Sequence, residues 1–181
     1  FADSTLFHSD YRSSERTFQL LTQVAGRAGR AEKNGCVVIQ TNAPEHRAIK
    51  LCKKHDYKGF YRLEIRDRMR TLFPPFAVFV RAMFVSSDEA LAGKACDRFA
   101  EDIAKLLLSV LRSFHAEKEL IFVTPGAAPI KRRNNEYRYA VIIKLVRSAH
   151  TAAAINTIYT YADEFSDDSF RGVEINPVDM L

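Results

Sequence analysis

Tyr137-Arg138-Tyr139-Ala140-Val141-Ile142-Ile143-Lys144-Leu145-Val146 decides the fold class of the second half of the chain. Tyr137, Tyr139, Val141, Ile143 and Leu145 alternate with Arg138, Ala140, Ile142 and Lys144. That period of two marks a strand with one well-buried face. Upstream, an apolar strand over 76–85 leads into a long helix over 88–114. Ser86 and Glu89 stand at capping-box spacing before it, and Leu91, Ala95, Phe99, Ile103, Leu106, Val110 and Phe114 supply its apolar stripe. A strand over 120–124 follows, then Pro125, Gly126, Pro129 and a basic turn. Downstream come a helix over 151–165 and a short strand over 172–177. The order strand, helix, strand, strand, helix, strand is that of a ferredoxin-like α+β sandwich, two helices on one face of a four-stranded antiparallel sheet.

The first part of the chain reads differently. Residues 36–40 (Cys36-Val37-Val38-Ile39-Gln40) are apolar on both faces, as in a strand inside a parallel sheet covered on both sides. Before it, a helix over 15–30 presents Phe18, Leu21, Val24, Ala25 and Ala28 as one stripe, with Asp10, Ser13 and Ser14 as candidate caps. Helices over 45–54 and 57–71 follow. Leu72-Phe73-Pro74-Pro75 stops the second of these, because neither proline continues a helix. These elements divide the chain into an α/β part at 1–58, a connecting helix at 59–71 and an α+β domain at 72–181.

The chain has 181 residues, 47% hydrophobic and 27% charged, an ordinary globular composition that excludes a disordered, collagenous or disulfide-framework protein. No run approaches the ~18 apolar residues of a membrane span and no signal peptide opens it. It begins with Phe1 rather than methionine, as a fragment would. Cys36, Cys52 and Cys96 are odd in number and far apart, which points to a reducing cytoplasm. Cys52, His55 and His46 lack the paired spacing of a zinc site, so no metal is expected. Net charge is +5, with a pI near 9.2. Residues 1–70 carry 14 basic and 8 acidic side chains, the arginines of 62–70 among them. Residues 131–147 hold six basic side chains against Glu136. These two local patches dominate the charge, one suited to phosphates and one to DNA or an acidic tail.

Gln23-Val24-Ala25-Gly26-Arg27-Ala28-Gly29-Arg30 carries the sharpest chemical signal. At helical spacing Gln23, Arg27 and Arg30 project from one face. Two guanidiniums a turn apart, with glycines that let another surface approach, suit a phosphate held by planar donors. The same spacing suits a solvated face whose arginines pair with glutamates. The motif Gln-x-x-Gly-Arg-x-Gly-Arg resembles the last conserved motif of superfamily 2 helicases. The string from Asp10 to Gln23 leading into it is similar to the PriA-type helicases of bacterial replication restart (the primosomal protein N′ family). So are Pro74-Pro75-Phe76, Pro129-Ile130-Lys131-Arg132 with Tyr137-Arg138-Tyr139, and the closing Glu174-Ile175-Asn176-Pro177-Val178-Asp179.

The resemblance covers essentially all of the chain and implies a C-terminal part of such a helicase: the end of a second RecA-like lobe, with an incomplete parallel sheet, followed by the ferredoxin-like domain. In that family ATP lies between two lobes. Arg27 and Arg30 would reach the terminal phosphate, Gly26 would keep the approach open, and Gln23 would orient water or link nucleotide state to DNA. The phosphate loop and the Mg²⁺-binding acidic motif have no counterpart in the chain, and the family's zinc insert is expected upstream. The fragment alone is therefore expected to be inactive. The resemblance further implies forked or single-stranded DNA, the acidic tail of single-stranded-DNA-binding protein and other primosome proteins as partners.

Lys131-Arg132-Arg133-Asn134-Asn135-Glu136 forms a basic hairpin beside aromatic residues. Lys131, Arg132, Arg133 and Arg138 are the candidate DNA contacts, the tyrosines sharing the parity of the core. Lys144 and Arg147 are candidates for an acidic partner. A non-enzymatic nucleic-acid- or protein-docking module, or part of another superfamily 2 translocase, are the alternative readings. A strand at 36–40 without its lobe leaves an exposed edge, so this region is expected to be disordered, to collapse onto the second domain or to pair in a dimer.

Overall fold

A computed structural model describes residues 2–7, 10–28 and 36–177 of the chain. It divides into two compact units at Thr71/Leu72. It is a mixed α/β protein with one four-stranded antiparallel sheet and six α-helices among the described residues.

The first unit is helical: α1 (Asp3–Leu6), α2 (Ser13–Ala28), α3 (Arg47–Cys52) and α4 (Tyr57–Thr71). Leu6, Phe18, Ala48, Cys52 and Phe60 form its core, where Phe18 and Phe60 stack with centroids 4.3 Å apart. Asp10 does not donate a simple cap. Buried, it accepts the Arg12 N–H at 2.9 Å and pairs with Arg16 at 2.9 Å. The helix expected as a connector joins this core through Phe60. It is locked by Glu64, which accepts from Arg47 at 2.7 Å and Arg68 at 3.0 Å, while Arg68 reaches Glu15 at 2.6 Å.

Residues 36–40 correct the sequence expectation. They are not a strand in a parallel sheet but irregular chain, with Val38 87% exposed. A strand exists only through a partner. Among the described residues, the backbone bond to this stretch is from the Ala2 N–H, just before α1, to the Gln40 carbonyl at 3.1 Å, while the Asp3 carboxylate takes the Asn42 N–H at 2.8 Å. Val24 is also exposed, at 54%, rather than part of a buried stripe. With Leu20, Val37 and Ile39 it lines an open apolar cleft.

The second unit runs β1 (Ala77–Ser86), α5 (Glu89–Ser113), a 3₁₀ turn at Glu117–Glu119, β2 (Leu120–Arg133), β3 (Glu136–Val146), α6 (Thr151–Glu164) and β4 (Phe170–Ile175). Sheet order is β2-β3-β1-β4, every neighbour antiparallel. One face carries Val80, Ala82 and Phe84 from β1 and Val141, Ile143 and Leu145 from β3, packed against α5 and α6. β2 is longer than the expected 120–124, because Pro125 and Pro129 lie in an edge strand, where a missing N–H is tolerated. It shifts register between Ala127 and Arg132. Asn134 and Asn135, at φ 53° and 62°, make the two-residue hairpin turn.

Two details of α5 differ from the sequence reading. Its cap is Asp88, accepting from Ala90 N at 2.8 Å, not the Ser86/Glu89 box. Its buried stripe is Ala92, Ala95, Cys96, Phe99, Ile103, Leu107 and Leu111, leaving Leu91, Leu106 and Phe114 exposed. Apolar residues stand on adjacent faces of this helix, and only contact with the sheet selects between them.

At the far end of α5, Glu119 accepts from Ser148 Oγ at 2.5 Å and lies 3.0 Å from His150 Nδ1, whose ring stacks on Phe114. Burial tends to raise the Glu119 pKa, but the Ser148 and His150 contacts outweigh it and hold the carboxyl below its ordinary value. Asp167 is lowered likewise by its Ser169 hydrogen bonds, assisted by Arg98. A folded-state pKa below the unfolded one gives stability that is present above the unfolded value and lost as pH falls through the folded one. Urea midpoints are therefore expected to fall as pH drops below about 4, and Glu119→Gln to flatten part of that dependence. An unchanged profile in the variant would contradict the assignment.

Candidate functional site

The described part of the arginine motif, Gln23 to Ala28, occupies the end of α2. A helix is favoured there by Leu, Gln and Ala around Gly26, and Gln23 and Arg27, four residues apart, lie on one side of it. Both are exposed, and Arg27 has no acidic partner among the described residues. A Cβ placed on Gly26 would meet nothing within 4 Å. Among the described residues no acidic group competes for the Arg27 donors with an anion supplied from outside. Arg30, with Gly29, lies outside the described residues.

The basic hairpin is built by the β2–β3 turn, and Lys131, Arg132 and Arg133 are all exposed. They are not equivalent. Lys131 Nζ lies 2.6 Å from Glu89 at the start of α5, which also accepts the Tyr139 hydroxyl at 2.9 Å. The Glu89 pKa is lowered by Lys131 and then Tyr139, and that of Lys131 is raised by Glu89. Much of the Lys131 charge is spent inside the unit. The Arg132 guanidinium lies over the Tyr137 ring, 5.1 Å from its centroid. Arg133 faces Glu136 across the turn, and Arg138 is half-buried opposite Val85. The sequence reading missed Glu89 as a partner, and no local signal could have found a contact 42 residues away.

Lys144 requires a correction. It was expected with Arg147 to face an acidic partner, but it is only 8% exposed. Its ammonium lies 4.7 Å from the Phe73 ring centroid, 5.2 Å from that of Phe79 and 5.9 Å from that of Phe122. Removal from water lowers its pKa. The strand alternation that points Lys144 away from the helices does not reveal that aromatic rings cover that position. Arg147 is exposed. His46 accepts the Ala48 N–H at the start of α3, and Cys52 is buried beside Thr22. Among the described residues no group of three His, Cys, Asp or Glu gathers in metal-binding geometry, and no helix is long and apolar enough to cross a membrane.

No model of a known protein family matches the chain. Among curated proteins it is similar to the replication restart protein PriA of Bacillus subtilis, 38% identical over 182 residues, which is 99% of the chain and 22% of that protein. The replication restart protein PriA of Treponema pallidum is 34% identical over 183 residues, 99% of the chain and 26% of its own length. That of Synechocystis is 36% identical over 143 residues, 79% of the chain and 16% of its own. The chain thus spans about a quarter or less of the length of these relatives.

Proposed function

We propose that this chain, homologous over nearly its whole length to part of the replication restart protein PriA, contributes two parts to a longer ATP-dependent DNA helicase that acts at forked DNA and reloads the primosome. Residues 1–58 are read as the end of the second RecA-like lobe, and residues 72–181 as a ferredoxin-like DNA-docking domain. The observation that carries this reading is the span of the similarity, which runs through the arginine motif and the α+β domain alike. Arg27, exposed and without an acidic partner among the described residues, and Gly26, where an added Cβ would meet nothing within 4 Å, fit a phosphate arriving from outside the unit.

In this reading the nucleotide and its Mg²⁺ are held by residues of the longer protein, since the chain has no phosphate loop. ATP supplies the phosphoryl group whose departure drives unwinding. Arg27, with Arg30, places planar donors against the terminal phosphate and stabilises its developing charge. Gln23, a turn away, orients water there or relays nucleotide state. Arg132, Arg133 and Arg138 meet the DNA backbone, and Arg147 remains for the acidic tail of single-stranded-DNA-binding protein. Any zinc belongs to the rest of the longer protein, because the three cysteines here stand apart.

The 181-residue chain is expected to bind fork DNA steeply with salt and to hydrolyse no ATP. Arg132→Gln with Arg133→Gln should make the log–log salt slope shallower by roughly 1.5 to 2. Lys131→Gln should change it less, because Glu89 already takes that charge. Fluorescence anisotropy across a salt series checks this. A double variant that binds like the parent, or ATP turnover by the chain alone that disappears in Arg27→Ala, would overturn the division of labour.

A further inference from the structure

The exposed face of α4, in the first unit, carries a second basic array. Lys58, Arg62, Arg66 and Arg70 recur every four residues, so their charges climb one side of the helix at about 6 Å per step. All four are exposed. The acids that would neutralise them are engaged elsewhere. Glu64 is taken by Arg47 and Arg68, and Asp67 by Arg47, with Arg70 only at 4.0 Å. Glu15 is held by Arg68, Glu45 by Lys50, and Asp56 by the Gly59 N–H. Among the described residues Lys58, Arg62 and Arg66 have no acidic partner.

Like charges four apart disfavour a helix, and solvated helix faces ordinarily alternate sign. Phe60 and the Glu64 network hold α4 in place, so Lys58, Arg62 and Arg66 stand on a packed helix. Beside the row stand Tyr57 and Tyr61, both exposed, their rings inclined by 27° with centroids 6.4 Å apart. They border a cleft lined by Phe18, Gln19, Phe60 and Ile65, with Glu15 and Arg68 among its polar groups.

We infer that this face of α4 binds single-stranded nucleic acid, its phosphates along Lys58, Arg62 and Arg66 and a base against Tyr57 and Tyr61. Cations that track a backbone beside an aromatic platform are the recurring chemistry of single-strand binding. An aromatic platform offers little to duplex bases, which are already stacked on one another. An acidic peptide would use the cations and leave the rings idle.

The test is anisotropy of a labelled oligothymidylate with the 181-residue chain. Lys58→Gln/Arg62→Gln/Arg66→Gln is expected to weaken binding at least about tenfold and to make the salt slope shallower by ~2, three charges at about 0.7 each. Tyr57→Ala/Tyr61→Ala is expected to weaken it about tenfold with the slope unchanged. Both variants should melt as the parent does by circular dichroism. Because the substituted side chains are exposed, Tyr61→Phe serves as a second variant that keeps the platform and should keep the affinity. Parental affinity and slope in the triple variant would overturn the inference. So would complete loss of oligothymidylate binding in the Arg132/Arg133 hairpin variant with none in the triple variant. Displacement by polyglutamate as effective as by unlabelled oligothymidylate would assign the face to acidic peptides instead and overturn it too.

Discussion

On the proposed reading, Arg27→Ala in the longer protein is expected to lower ATP turnover by ~10³-fold or more, the scale on which arginines act at a departing phosphoryl group. Arg27 is exposed, has no acidic partner among the described residues and lies one helical turn from Gln23. Its loss should cost the fold no more than about 0.5 kcal/mol, as for an ordinary surface substitution. The deficit therefore belongs to the reaction. It should appear in kcat, with KM for ATP changed far less, because the interaction strengthens as charge develops. DNA binding should survive. Arg27→Lys should rescue little, since an ammonium lacks the planar fork. Arg30→Ala is expected to behave in the same way. Steady-state kinetics with saturating DNA decide it, and parental kcat in Arg27→Ala would remove this residue from the phosphate site.

Phe99→Ala is expected to destabilise the second unit by about 3 to 5 kcal/mol, the range for deleting a buried ring. Phe99 is 0% exposed. Its ring lies 5.6 Å from Phe84 on β1, 5.1 Å from Tyr161 on α6, 5.1 Å from Phe165 and 5.5 Å from Phe170 on β4. One side chain thus joins four segments, and its removal leaves a cavity that none of them closes alone. Against a total of about 5 to 15 kcal/mol for a domain, this is a large share, and Tm should fall by more than about 10 °C. Leu91→Ala is the informative control. Leu91 belongs to the stripe expected from sequence but is exposed in the structure, so its loss should cost less than about 0.5 kcal/mol. Phe99 belongs to both stripes, so a Leu91 effect as large as the Phe99 one would mean that the helix presents the other face.

The candidate site was legible in part. Gln23, Gly26 and Arg27 stand where helical periodicity puts them, because one turn of helix is enough to align them. The α4 array was equally available, since four cations at a spacing of four need no tertiary information. The hairpin was legible as a basic turn, but the unequal worth of its three cations was not. Glu89 lies 42 residues before Lys131, and only the packing of α5 beside β2 brings the two together.

The sequence by itself determined the kind and order of the elements of the second unit, because periods of two and 3.6 are properties of the local backbone. It also determined the placing of Gln23, Gly26 and Arg27 on a helix and the similarity to PriA proteins. Tertiary structure alone decided matters that depend on distant partners. Residues 36–40 have the composition of a buried strand and are not one, because a strand is defined by the hydrogen bonds of a neighbour. Lys144 has the alternation of an outward residue and is buried, because Phe73, from another segment, covers it together with Phe79 and Phe122. The face of α5 that meets the sheet was chosen by contact, since its apolar residues stand on more than one side. The net charge of +5 likewise has its meaning in tertiary structure, where Glu64 is held by Arg47 and Arg68 and, among the described residues, Lys58, Arg62 and Arg66 face water without an acidic partner.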